Sequence, residues 1–240
     1  LTLYKWLDAN GKTPTKGFVW PYEVGEWAPD AKPVLCESGW HGMEEKDVLS
    51  HLPGDNAGLY EVEVRGDVVH GEDKLTATSM RLVRLVGFAD PRTLRAFALI
   101  NAESVLPIFE KKCPNDSRVR DCIEVGWKFT RGLATRDELE AAQAAEEALE
   151  AGETAWAATG AALWYDGYAA RLAARAAAWA ATSPALLAAM GAAEATSGWV
   201  SAGNAAAKAV GNAFRAESSS LLVHMIETGV FREVNDKAQA

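Results

Sequence analysis

The residues best equipped for chemistry lie in one short stretch, Cys36-Glu37-Ser38-Gly39-Trp40-His41-Gly42-Met43-Glu44-Glu45. A histidine within a few residues of a thiol and of carboxylates can act as a general acid or base, or can activate the cysteine as a nucleophile. Either role needs a second group held beside the imidazole, and no other His, Asp or Ser is assigned to this stretch by its spacing. A structural turn with a hydrogen-bonded imidazole is therefore the favoured reading. His51, His70 and His224 stand alone, with no HExxH pattern to unite them into a metal site. The phosphate-binding, dinucleotide, nucleophile-elbow and calcium-loop motifs are absent, so the sequence calls for no cofactor. Cys36, Cys113 and Cys122 form no CxxC spacing and indicate reduced thiols in a cytoplasm rather than a disulfide or zinc framework.

A second set of charges sits further along. Glu103 and Glu110 are two helical turns apart, and Arg118 and Arg120 follow the turn Cys113-Pro114-Asn115-Asp116. An antiparallel return of the chain would bring those arginines back to the glutamates, and an Arg118–Glu110 fork could clamp the corner. Such a clamp either holds two helices together, the favoured reading, or meets a partner. Arg171 and Arg175, one turn apart with Asp166 nearby, read as a solvated stripe.

The elements that must carry these residues change character near Asp90. Before it, period-two alternation or aromatic and β-branched enrichment predicts strands at Leu1–Trp6, Phe18–Val24, Leu59–Gly66 and Met80–Gly87. Within Leu59–Val64, Leu59, Glu61 and Glu63 should face one way and Tyr60, Val62 and Val64 the other, the pattern of a half-buried strand. Asp8-Ala9-Asn10-Gly11 is a turn signal. Met43–Leu52 reads as a helix, with Met43, Val48, Leu49 and Leu52 on one side.

After Asp90 the signals are helical. Asp90-Pro91 is a cap followed by a first-turn proline, and its helix should reach about Lys112 with Leu94, Phe97, Ala98, Val105, Ile108 and Phe109 inward and a kink at Pro107. A second helix spans about Ser117–Arg131, burying Val119, Cys122, Ile123 and Trp127, with Gly132 as its stop. Thr135 and Glu138 form a capping-box signature for a third. Beyond Glu138 the chain is rich in alanine, which favours helix but buries little area per residue. Trp156, Trp164, Trp179 and Trp199 read as core anchors, and an aromatic cleft is the alternative. Gly152, Gly160 and Gly167 are weak points, Ser183-Pro184 restarts the helix, and the pattern runs to about Thr228 with a break near Ser218–Ser220. The expected class is α+β: a small β-rich domain over residues 1–89, an all-α, alanine-rich bundle over 90–229, and a flexible tail over 230–240.

Charge narrows the partners. The chain of 240 residues carries a net charge of −9. Residues 1–90 hold nine Lys and Arg against fifteen Asp and Glu, so they supply −6 of it. That balance opposes binding to phosphate backbones and suits a basic protein partner. No apolar run reaches membrane-spanning length and the start shows no signal-peptide pattern, so no membrane association is expected.

Two resemblances rest on particular residues. From about Thr93 to Thr228 the chain resembles the alanine-rich, all-helical immunity proteins of bacterial toxin systems, through Glu103, Val105, Leu106, Pro107, Phe109, Glu110, Pro114, Asp116, Arg118 and Arg120. The histidines that such relatives carry in later helices are mostly missing. Residues 1–90 resemble an uncharacterised small domain of phage and prophage genomes, through LYKW, YEVGEW, CESGWHGMEE, LYEVEVRGDVV and KLTATSMRLVRLVG. Their order of elements is also similar to ADP-ribosyltransferase-like folds, without the HYE-type triad. The resemblances imply a phage- or prophage-encoded binding protein of the bacterial cytoplasm that occludes a toxin or host defence factor. Trp40, His41, Glu44, Glu103, Glu110, Arg118, Arg120, Arg171 and Arg175 are then the candidate contact residues. A transferase-like enzyme and a virion or assembly component are the alternatives, and a homo-oligomer is compatible with each.

Overall fold

The computed structural model describes residues 2–14, 17–54, 56–147 and 199–229. An antiparallel sheet comes first and helices follow, so the chain is of mixed α+β class. It divides into two compact units, one made of Leu1–Thr93 with Ser219–Ala240 and the other of Leu94–Ser218.

In the first unit four strands, β1 (Leu3–Leu7), β2 (Trp40–Glu44), β3 (Ala57–His70) and β4 (Leu75–Ala89), close into a barrel in the order β1-β2-β4-β3 with every neighbour antiparallel. The short strands cover only part of the long ones, β1 pairing with Gly58–Val62 of β3 and β2 with Leu75–Ala77 of β4. The turn after β1 is the expected one: the Asp8 carboxylate accepts from the N–H groups of Asn10 and Lys12 at 2.8 and 2.9 Å, and Gly11 takes φ 71°. Tyr60, Val62 and Val64 share a face as the alternation predicts and pack with Leu7, Trp20, Ala28, Met80 and Leu82. The opposite face is wet only in part. Leu59 is fully buried, while Glu61 and Glu63 are paired to Arg84 and Arg81 at 2.7 and 2.6 Å.

Two predicted elements are different. Phe18–Val24 forms no strand; only a bridge joins Val19 to Lys12, and Phe18, Val19 and Val24 stay about half exposed. Pro21 withholds a donor there, and Gly17 and Gly25 turn the chain at φ 60° and 92°. The chain then runs along β4, where the N–H groups of Gly25, Ala28 and Ala31 donate to the carbonyls of Leu82, Met80 and Thr78. Met43–Leu52 is no α-helix either. Met43 belongs to β2, and two single-turn 3-10 helices follow at Glu45–Asp47 and Leu49–His51. The expected apolar set, Met43, Val48, Leu49 and Leu52, is buried all the same. Sheet alternation buries Met43, and Pro53 disfavours helical continuation at Leu52.

In the helical part, α1 (Pro91–Lys112) starts where Asp90 caps it, the Asp90 carboxylate accepting from the N–H groups of Arg92 and Thr93 at 2.9 and 3.1 Å. It continues through Pro107, with Leu94, Phe97 and Ala98 buried. α2 (Arg118–Thr130) buries Val119, Cys122, Ile123 and Trp127 as predicted. Gly132, at φ 74°, ends it, with Gly132 and Leu133 N–H groups donating to the carbonyls of Phe129 and Lys128. α3 (Arg136–Glu147) opens on the expected capping box: Thr135 N–H donates to Glu138 Oε2 at 2.7 Å and Glu138 N–H to Thr135 Oγ1 at 3.3 Å. Cys122 and Leu139 are the buried centre of the α2–α3 contact, flanked by Val125 and Phe129.

α4 (Trp199–Thr228) runs unbroken through Ser218–Ser220, against the expected break. Both buried serines find tertiary partners, Ser218 donating to Asn101 Oδ1 at 2.9 Å and Ser219 to the Lys46 carbonyl at 3.0 Å. Their hydroxyls therefore bond outside their own helix. Gly152, Gly160, Gly167, Trp156, Trp164, Trp179, the Ser183-Pro184 restart and the tail from Val230 lie outside the described residues, as do the side chains of Val105, Ile108, Phe109 and Trp199. No helix among the described residues is long and apolar enough to cross a membrane.

Candidate functional site

Two places carry the sequence-predicted residues, and each belongs to one unit. In the first unit Trp40 and His41 open β2, opposite Ala77 and Thr76 of β4. The indole N–H of Trp40 donates to the Pro29 carbonyl at 2.8 Å. His41 Nε2 accepts from the N–H of Cys36 at 3.1 Å, holding that residue at φ 65°. The basic nitrogen that a catalytic base would offer is thus engaged by the turn itself. Glu44 pairs with Lys46 at 2.8 Å. Tyr4 faces Met43 on one side and Glu61 on the other. Burial first, then the nearby carboxylates Glu45, Glu61 and Glu227, pushes its hydroxyl above the usual tyrosine range, so it stays protonated. Among the described residues no group of three His, Cys, Asp or Glu could hold a metal ion.

In the second unit the corner between α1 and α2 brings most of the remaining candidates together. Arg120 Nε donates to Glu110 Oε1 at 2.8 Å and its guanidinium also reaches the same oxygen, so the antiparallel return forms an Arg–Glu clamp. The arginine differs from the expected Arg118. That residue instead forks onto Asp116, Nε to Oδ1 at 3.0 Å and Nη2 to Oδ2 at 2.7 Å. The Arg118 guanidinium and backbone N–H hold the Asp116 carboxyl below the usual carboxylate range. Glu103 meets no arginine fork; it accepts from the indole N–H of Trp127 at 2.6 Å. Burial raises its carboxyl above the ordinary range, against the pull of Trp127 and Arg131. An open groove of about 430 Å³ lies on this corner, lined by Glu110, Pro114, Asn115, Asp116, Ser117 and Arg120. Its walls offer both signs of charge together with hydroxyl and amide groups, a lining suited to a polar protein segment. Arg171 and Arg175 lie outside the described residues.

Comparison with known families divides the chain near the same place. Residues 1–91 match the model of a domain of unknown function (DUF7666). Residues 85–195 match that of an Imm-5 like putative immunity protein. No curated protein and no solved structure matches the chain. The second match includes the whole α1–α2 corner, and it points to an immunity-like function and a protein partner.

Sequence reasoning did not single out Lys5 or Trp20. Lys5 is buried on β1 between Leu3 and Leu7, and Trp20 is buried beside it. The period-two pattern of Leu3–Leu7 could have placed Lys5 inward, but Tyr4 and Trp6 make the other face equally apolar.

Proposed function

We propose that this protein binds and neutralises a protein partner in the manner of an immunity protein, with the α1–α2 corner as part of its contact surface. The observation that carries this reading is the coincidence of two facts: the immunity-protein match spans residues 85–195, and the open groove lined by Glu110 and Arg120 lies inside it. The partner is a toxin or a host defence factor, and the protein acts as a phage- or prophage-encoded accessory in the bacterial cytoplasm. The excess of carboxylates in residues 1–90 favours a basic partner, since opposite charge speeds encounter. The bond from Cys36 N–H to His41 supports a scaffold role for the turn.

Growth rescue tests the proposal. Bacteria expressing individual toxins from immunity-protein systems should recover growth when the intact chain is co-expressed with its cognate toxin, and the two should co-elute from a sizing column. Arg120→Glu should weaken that complex at least tenfold, and combining it with Glu110→Arg should leave binding weak while restoring the internal pair. Rescue untouched by both reversals would remove the corner from the interface. Absence of rescue by any toxin of the panel would remove the neutralising role.

A further inference from the structure

One buried cation has no part in the corner. Lys5 is only 6% exposed, and its side chain lies on the same side of β1 as Leu3 and Leu7. An ammonium offers three donors. One goes to the His41 carbonyl at 2.7 Å, and the charge lies 5.3 Å from the centre of the Trp20 ring. Among the described residues no carboxylate is ion-paired with Lys5. Trp20 is itself 8% exposed, and its indole N–H is buried with no acceptor. Buried donors are normally satisfied and buried charges normally paired. Here a charge without a counter-ion and an indole donor without an acceptor share one cluster.

The surroundings fit a ligand that would meet both needs. The rings of Phe18, Trp20, Tyr22 and Trp40 pack edge to face with centroids 5.1 to 6.0 Å apart. Phe18, 46% exposed, carries this cluster to the surface. The segment bearing Trp20 and Tyr22 is tied down at its ends, Trp20 N–H to the Gly11 carbonyl at 2.9 Å and Gly25 N–H to the Leu82 carbonyl at 2.7 Å, with Pro21 between. It forms a strap of aromatic side chains over a charged floor. A carboxylate is acceptor-only, has two oxygens, and brings the missing negative charge.

We propose that Lys5 and Trp20 form a binding site for a small carboxylate with an apolar ring or tail. The Lys5 ammonium takes one oxygen, the Trp20 indole N–H takes the other, and the apolar part lies against Phe18, Tyr22 and Trp40. Entry requires the Trp20–Gly25 strap to swing outward. The site belongs to the barrel and stands independently of the neutralising role.

The test titrates the full chain with benzoate by calorimetry while NMR follows the side-chain resonance of Lys5. Saturable one-to-one binding is expected, and saturation should move the Lys5 pKa up from about 8, because a carboxylate beside the ammonium favours its charged form. Trp20→Phe, which keeps an aromatic ring but removes the indole N–H with the pyrrole half of the bicycle, should weaken binding about tenfold. Lys5→Met should abolish it while keeping the interior filled. Heat of binding unchanged in Lys5→Met, or a Lys5 titration unmoved by millimolar benzoate, would overturn the proposal. Inorganic phosphate binding as tightly as benzoate with the same dependence on Lys5 would overturn the choice of a carboxylate. If Lys5→Met does not fold, Trp20→Phe and the wild-type Lys5 titration still decide.

Discussion

The indole N–H of Trp127 donates to Glu103 Oε1 at 2.6 Å and so ties the last turn of α2 to the middle of α1. Glu103 is partly buried, and its carboxyl is raised mainly by that burial. A raised carboxyl pKa means that the folded state holds the proton more firmly than the unfolded chain. Its contribution to stability is therefore full below the ordinary carboxylate range and declines as pH rises through the raised value. Glu103→Gln keeps an acceptor for Trp127 and removes the charge, so it should be as stable as wild type or more so near neutrality, with a flatter pH dependence just above the ordinary range. Trp127→Phe should instead lose about 1–3 kcal/mol, since it strands a buried acceptor. Urea unfolding of both variants at several pH values checks the pair.

The corner clamp is coupled between Glu110 and Arg120 rather than between Glu110 and Arg118. The pair is partly solvent-exposed, so a double-mutant cycle to alanine should show a coupling of about 0.2–1 kcal/mol. The Glu110–Arg118 cycle should be additive. Denaturant midpoints of the three single and two double variants, each set against wild type, read both couplings.

Lys5 gives the barrel a pH signature of its own. Burial lowers its pKa from the model-peptide value of 10.5 to about 8, which means that folding penalises the charged form. Stability should be lowest below about pH 8 and should rise as pH climbs from there toward 10.5, because only the unfolded chain holds the proton through that interval. Lys5→Met should remove that rise and add roughly 2–3 kcal/mol near neutrality. Thermal unfolding of both proteins across pH 7 to about 10.5 measures it.

Gly87 on β4 faces Ile226 near the end of α4. A Cβ there would lie 2.5 Å from the Ile226 carbonyl oxygen and 2.9 Å from its Cγ2. Backbone cannot yield as a flexible side chain does, so Gly87→Ala should cost about 1–3 kcal/mol. The melting temperature of the variant is the readout.

His41→Ala should lower stability by about 1 kcal/mol through loss of the acceptor for Cys36 N–H. Partner binding, measured where the variant remains folded, should be unchanged. Loss of binding or activity at unaltered melting temperature would return His41 to the functional residues.

What could be read from the sequence was what neighbours along the chain decide. Asp90 capping α1, Thr135 and Glu138 boxing α3, and Gly132 ending α2 are all settled within four or five residues. The identity of β2 is settled elsewhere: Trp40–Glu44 extends because Leu3 and Tyr4 pair on one side and Leu75, Thr76 and Ala77 on the other. The corner shows both regimes. Its antiparallel return was legible, and so was the meeting of arginine and glutamate. Which arginine arrives depends on how α2 is rotated after the turn, and Asp116 captures Arg118 from only two residues away. The Lys5 site stayed hidden because Leu3–Leu7 is apolar on both faces, so alternation alone does not say which one turns inward.

The attachment of Ser219 has a consequence for synthesis. Its hydroxyl accepts from Leu49 N–H and donates to the Lys46 carbonyl, across 170 and 173 residues of sequence. All four barrel strands have been translated by Ala89, yet the helix segment from Ser219 that completes their unit emerges much later. At ordinary elongation rates that interval is on the order of ten seconds. The nascent barrel must wait through it with Leu49 N–H unpaired and Gly87 not yet covered by Ile226, and the unit is finished only once the ribosome has passed the whole helical region.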